Sequence, residues 1–152
     1  MKQRQKRWTI LIIVTLCFIW GNSLMPPAVS NAISDKITQL LSGGVLPAEM
    51  EANSWLPSFL IRKTAHFTEF ALLGISLAGA CRARNMSKRE AVLLTALCGV
   101  LAALVDETIQ LFNGRTSSVK DVWLDSFGLA AGCCLTYFLF RHIVKKQEHK
   151  AG

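Results

Sequence analysis

The sequence predicts an all-α integral membrane bundle of four transmembrane helices with an amphipathic segment on its outer surface. Three observations predict it. Of 152 residues, 51% are hydrophobic and the mean hydropathy is positive, which places a chain of single-domain length in the membrane class. Long uncharged runs recur at Trp8 to Met25, Ala91 to Val105 and Ser126 to Phe140. The basic residues cluster beside those runs, with no aromatic-interleaved basic face, so the net charge of +7 reads as membrane topology and excludes a nucleic-acid partner.

The first span is expected over residues 8–26, after Lys2, Arg4, Lys6 and Arg7. A signal peptide opens in the same way, but its apolar region is shorter and ends at a small-residue cleavage site. Here the run ends in Gly21-Asn22-Ser23 and Pro26-Pro27, which favours a retained helix. Ile33, Ile37, Leu40 and Leu41 then follow helical spacing, with Ser30 or Asn31 as caps and Gly43-Gly44 as a stop. This is the segment expected to lie on the membrane surface, and Trp55, Leu56, Pro57 and Phe59 read as an interfacial entry to the next span.

The remaining spans are expected at 60–81, 90–112 and 122–140, each near the roughly 20 residues that cross about 30 Å of hydrocarbon. Twelve of the 17 Lys and Arg residues fall in the N-terminus, the Arg82–Arg89 loop and the tail after Phe140. The positive-inside rule therefore predicts a multi-pass protein of the cell membrane with both termini cytoplasmic. The five cysteines show neither zinc-site nor disulfide spacing and read as small hydrophobes. Cys133-Cys134 and the pair Gly128 and Gly132 are expected at close helix contacts.

That topology gathers polar residues at one depth on the outer side. Arg62, Lys63, His66 and Glu69 open the second span, and Asp106, Glu107 and Gln110 close the third. Arg115, Asp121 and Asp125 follow in the connection and in the fourth, while Asn22 and Ser23 finish the first. Separations of three and four put Arg62, His66 and Glu69 on one helix face, and likewise Asp106 with Gln110 and Asp121 with Asp125. A charge at a bilayer centre costs about 2.5–3.5 kcal/mol on insertion scales, so these groups should face one another, water or a ligand. The plain alternative is a structural network joining four helices, with typical contacts of about 0.6 kcal/mol.

Two strings of residues carry a family resemblance. The first is Arg62-Lys63-x-x-His66-Phe67-x-Glu69-Phe70-x-x-Leu73-Gly74; the second is Asp106-Glu107-x-x-Gln110-x-Phe112-Asn113-Gly114-Arg115, followed by Asp121, Asp125, Gly128 and Gly132. In order and spacing this resembles the VanZ-like membrane protein family, with Phe70 where Tyr is common and Asn113 where Pro is common. The family takes its name from a protein linked to resistance to teicoplanin, a lipid-bearing glycopeptide antibiotic. The resemblance thus implies a bacterial cell-envelope role touching glycopeptide susceptibility.

The chemistry of the residues supports action on a membrane lipid or lipid-linked envelope precursor. Arg62, Lys63 and Arg115 suit an anionic group such as phosphate, with Gln110, Asp121 and Asp125 beside them. His66 or Glu69 would transfer a proton, and Asp106, Glu107, Asp121 and Asp125 would orient these groups or hold a divalent cation, a hard ion such as Mg²⁺, Ca²⁺ or Mn²⁺. No nucleophile motif stands out; Ser23, Ser117 and Ser118 are ordinary candidates. A non-catalytic lipid- or antibiotic-binding protein is the alternative from another class. A small bundle with no internal repeat argues against a secondary transporter.

Overall fold

A computed structural model describes the backbone of residues 2–41, 55–115 and 119–151, and side chains at 2–40, 59–115 and 119–142. Among the described residues 92% are helical, and none is in a strand. Five helices follow one another among the described residues: α1 (Lys2–Ser23), α2 (Pro27–Leu41), α3 (Trp55–Ala83), α4 (Lys88–Phe112) and α5 (Val119–Ala151).

α4 and α5 are each long and apolar enough to cross a membrane. α1 and α2 meet that standard only together, as a pair bent by 103°. α3 is long enough, but His66 and Glu69 interrupt its apolar stretch, and it does not qualify by composition. Four spans are therefore not established by length and composition alone. The helix bounds also differ from those expected: α1 begins at Lys2 and stops at Ser23, short of residue 26, and α3 already begins at Trp55.

Burial is inverted relative to a water-soluble protein. Val92, Leu93, Leu97 and Leu101 of α4 are exposed, while Ser23, Ser76, Asp106 and Asp125 are fully buried. Apolar side chains outward and polar ones inward is the arrangement that lipid favours. Buried hydroxyls satisfy themselves on the preceding turn, as Ser76 does on Leu72 O at 2.8 Å and Thr136 on Gly132 O at 2.9 Å.

α2 shows the same inversion. It begins at Pro27, where a missing N–H is harmless and φ is already helical. Ser30 N bonds Pro26 O at 3.1 Å, so Ser30 lies inside the first turn and neither it nor Asn31 is the cap. Gly43 and Gly44, the expected stop, lie outside the described residues. Ser34 and Thr38 are buried towards the bundle, whereas Val29, Ile33 and Leu40 face outward.

α3 and α5 make the most extensive helix contact. Added Cβ atoms at Gly128 and Gly132 would overlap the carbonyl oxygens of Phe67 and Ala71, and one at Gly74 would overlap Leu129 O. Only glycine lets these backbones approach so closely. Cys133 joins the seam, its Sγ 3.5 Å from Gly74 O, but Cys134 is exposed, one residue round the helix from the contact. Ile19, Phe70, Leu73, Leu77, Ala102, Ala103 and Leu129 fill the centre.

The α3–α4 turn sits at the opposite end from the polar residues. Asn85 takes a left-handed φ of 55°, and Ser87 and Glu90 form a reciprocal capping box at the start of α4. The fold thus has a basic end (N-terminus, this turn and the end of α5) and a polar end where α1 and α4 finish and α3 and α5 begin.

Candidate functional site

The polar end is wired from the end of α1. Asn22 Nδ2 donates to Glu69 Oε1 at 2.6 Å, and Ser23 Oγ donates to Asp106 Oδ1 at 2.5 Å. Gln110 Nε2 donates to the other Asp106 oxygen at 2.7 Å, the one-turn relation expected of the two. Asn113 caps α4 and uses its side-chain amide to donate to Ser23 O at 2.9 Å. Asp106 is therefore held from both sides, 0% exposed.

His66 is poised beside this carboxylate without bonding to it. Its Nδ1 lies 3.6 Å from Asp106 Oδ2 and 3.9 Å from Glu69 Oε2, both too long for hydrogen bonds. Among the described residues, His66 Nδ1, Glu69 Oε2 and Asp125 Oδ2 have no hydrogen-bond partner although all three atoms are buried. Buried polar atoms are normally satisfied, so each marks a place where a proton, water or ligand belongs.

A cavity of about 310 Å³ opens in front of these groups. Arg62, Lys63 and Arg115 supply its cations, and His66, Glu107 and Asp125 lie on its lining. α2 fixes two of the cations: Arg62 Nη1 donates to Asn31 Oδ1 at 2.9 Å, and Arg115 Nη2 donates to the Ser30 hydroxyl. Lys63 pairs with Asp121 and sits 5.2 Å from the centre of the Phe59 ring. Partial burial, then the neighbouring Arg62, lowers the pKa of Arg115 below its ordinary value, while Asp106 opposes them. A guanidinium stays charged throughout.

Asp106, Glu107 and Asp125 each place a carboxylate oxygen within 4.8 Å of the others, and all three are buried. Two carboxylates at that separation repel by about 3–4 kcal/mol at an effective dielectric near 20. The trio needs compensation from a cation, a proton or the basic residues nearby. It is the group that could hold a hard metal ion through oxygen ligands.

The structure brings together most residues singled out in the sequence, but it divides their positions. Asp121 lines the cavity and pairs with Lys63, one helical turn before Asp125, which stands with Asp106 and Glu107. Gln110 spends its amide on Asp106, so it positions that carboxylate as well as lining the cavity. Glu69 lies behind His66, held by Asn22, and is not on the cavity lining. Ser23 donates to Asp106 and is fully buried, which removes it as a free nucleophile; Ser117 and Ser118 lie outside the described residues. Sequence reasoning missed Ser30, Asn31 and Asn113 as partners. Their one signal was their polarity beside Pro26-Pro27 and before Gly114.

Comparison with curated proteins and with solved structures gives no match. A model of the VanZ/LLP1 family matches residues 8–141, which take in every residue of the polar end described above. This chain belongs to the VanZ/LLP1 family.

Proposed function

We propose that the polar end faces the outer leaflet, with α1, α3, α4 and α5 crossing the membrane and both termini cytoplasmic, and that the cavity receives the phosphate-bearing head group of a lipid or lipid-linked envelope precursor. One observation carries this reading: three cations, two of them anchored on α2, meet above buried carboxylates in a bundle whose outer surface is apolar. Arginine forks suit bidentate contact with phosphate oxygens. The apolar exterior would leave the lipid tail in hydrocarbon while the head group enters from the side or above. Changed glycopeptide susceptibility would follow from holding or altering such a precursor.

Within this reading His66 is the proton-transfer group. Its Nδ1 faces Asp106 and Glu69 without a hydrogen bond to either, and both carboxylates are near enough to stabilise an imidazolium. Native mass spectrometry of protein purified in mild detergent tests the proposal. Wild type should retain a phosphate-bearing lipid, and Arg62→Gln/Arg115→Gln should release it.

The acidic trio separates an enzyme from a binder. If Asp106, Glu107 and Asp125 seat Mg²⁺, Ca²⁺ or Mn²⁺ for metal-assisted chemistry, the ion should raise the melting temperature of the purified protein. At 100 times its Kd an ion bound only to the folded state stabilises by about 2.7 kcal/mol, enough for a shift of several degrees. Asp125→Asn should remove the shift, while Asp121→Asn, paired with Lys63 outside the trio, should keep it. Unchanged melting with and without chelator, alongside retained lipid, favours a non-catalytic binder that shields its ligand.

A further inference from the structure

A second cavity, of about 360 Å³, lies at the basic end, far from the polar residues and independent of the function proposed for them. Arg4, Arg7 and Arg82 line it together with Trp8, Leu11 and Phe140. From this arrangement we propose that the basic end is a binding site for one anionic phospholipid, its phosphate on the arginines and an acyl chain against the apolar wall.

The pattern along α1 is the first support. Arg4, Arg7, Trp8 and Leu11 follow helical spacing and so share one face. Over about 10 Å of helix that face passes from guanidinium to indole to aliphatic side chain. A phospholipid presents the same order from head group through interface to chain. Charges kept only for membrane orientation would require no cavity and no apolar wall continuing from them.

Local bonding supplies the second support, because it distinguishes two kinds of arginine. Arg84 is used up in joining helices: its guanidinium donates to Thr9 Oγ1 at 3.1 Å and to Ala80 O at 3.3 Å. Gln5 Nε2 donates to Ala83 O at 3.2 Å and completes the clamp that fixes α1 against the end of α3. The indole of Trp8 packs so tightly on Gly79 that an added Cβ would lie 2.5 Å from it. Arg4, Arg7 and Arg82 are exposed as Arg84 is but make none of its bonds, and no carboxylate lines the cavity. Among the described residues none of the three has an acidic partner. Arg82 lays its guanidinium face on the Phe140 ring, 4.5 Å from the centroid, which leaves its in-plane N–H groups for an acceptor. Basic pockets between membrane helices are recognition sites for anionic head groups.

Native mass spectrometry with phosphatidylglycerol and phosphatidylcholine added at equal concentration tests the site. Wild type should carry phosphatidylglycerol in preference to phosphatidylcholine. Arg4→Gln/Arg7→Gln, at two exposed positions without acidic partners, should weaken that binding by about thirtyfold, on the scale expected for two surface arginines. Leu11→Gln should weaken it too, while Arg62→Gln/Arg115→Gln at the polar end should leave it unchanged. Equal retention of the two lipids, or unchanged phosphatidylglycerol on Arg4→Gln/Arg7→Gln, overturns the proposal. Displacement of the lipid by millimolar inorganic phosphate would show a plain anion site and overturn it as well.

Discussion

If the protein alters teicoplanin susceptibility on expression, as proposed, His66→Ala, Glu107→Gln and Arg115→Lys are each expected to abolish that change, with abundance and melting temperature close to wild type. The geometry explains why folding should tolerate them. His66 Nδ1 holds no hydrogen bond among the described residues, so its removal strands no partner. Glu107→Gln keeps the shape, exchanges one acceptor oxygen for an amide donor and removes the charge from the trio. Arg115→Lys keeps the charge but loses the fork that can reach Ser30 and a phosphate together. Asp106→Ala is the contrasting case. It strands the neutral donors of Ser23 and Gln110 in a buried place and should lower abundance, since each buried donor left unsatisfied costs about 1–3 kcal/mol. If the first three variants lose abundance in step with function, the polar end is scaffold and not a site.

Gly132→Val is expected to be among the most damaging substitutions for stability. The side chain would be driven into the Ala71 carbonyl on α3, and backbone cannot rotate out of the way as a side chain can. Overpacking of this kind typically costs about 1–3 kcal/mol, and a rigid backbone neighbour places it at the upper end. Gly21→Ala provides the control. Nothing lies within 4 Å of a Cβ there, so the greater helix propensity of alanine, up to about 1 kcal/mol, should leave stability equal or slightly higher. Thermal unfolding in detergent reads both. An unaffected Gly132→Val would contradict the close α3–α5 seam that brings His66 and Asp125 to one cavity.

Much of this arrangement is legible in the sequence, for identifiable reasons. α4 and α5 follow from charge-free runs, because hydrocarbon tolerates few alternatives to an uninterrupted apolar helix. Carboxylates and guanidiniums that break such runs stand out against them, which is why the residues of the polar end could be named. Three things were hidden. The partners of Arg62 and Arg115, Asn31 and Ser30, are 31 and 85 residues away in sequence, and no helical spacing connects them. Asp121 and Asp125 share a helix face, so spacing could not show that one reaches Lys63 and the other joins Asp106 and Glu107. The periodicity of α2 was visible, but its apolar side turns away from the bundle and its Ser34 and Thr38 side turns inward, a choice set by lipid rather than by the pattern.

The central claim is that the cavity rimmed by Arg62, Lys63 and Arg115 holds a phosphate-bearing head group. Native mass spectrometry of the purified protein, with its bound lipids identified by fragmentation, tests this most directly. The expected result is that Arg62→Gln/Arg115→Gln carries one phosphate lipid fewer than wild type, keeping any lipid at the basic end, with the protein still folded and with Asn22→Ala, behind the cavity, retaining the wild-type number. A double variant that keeps the same lipid at wild-type occupancy would contradict the account.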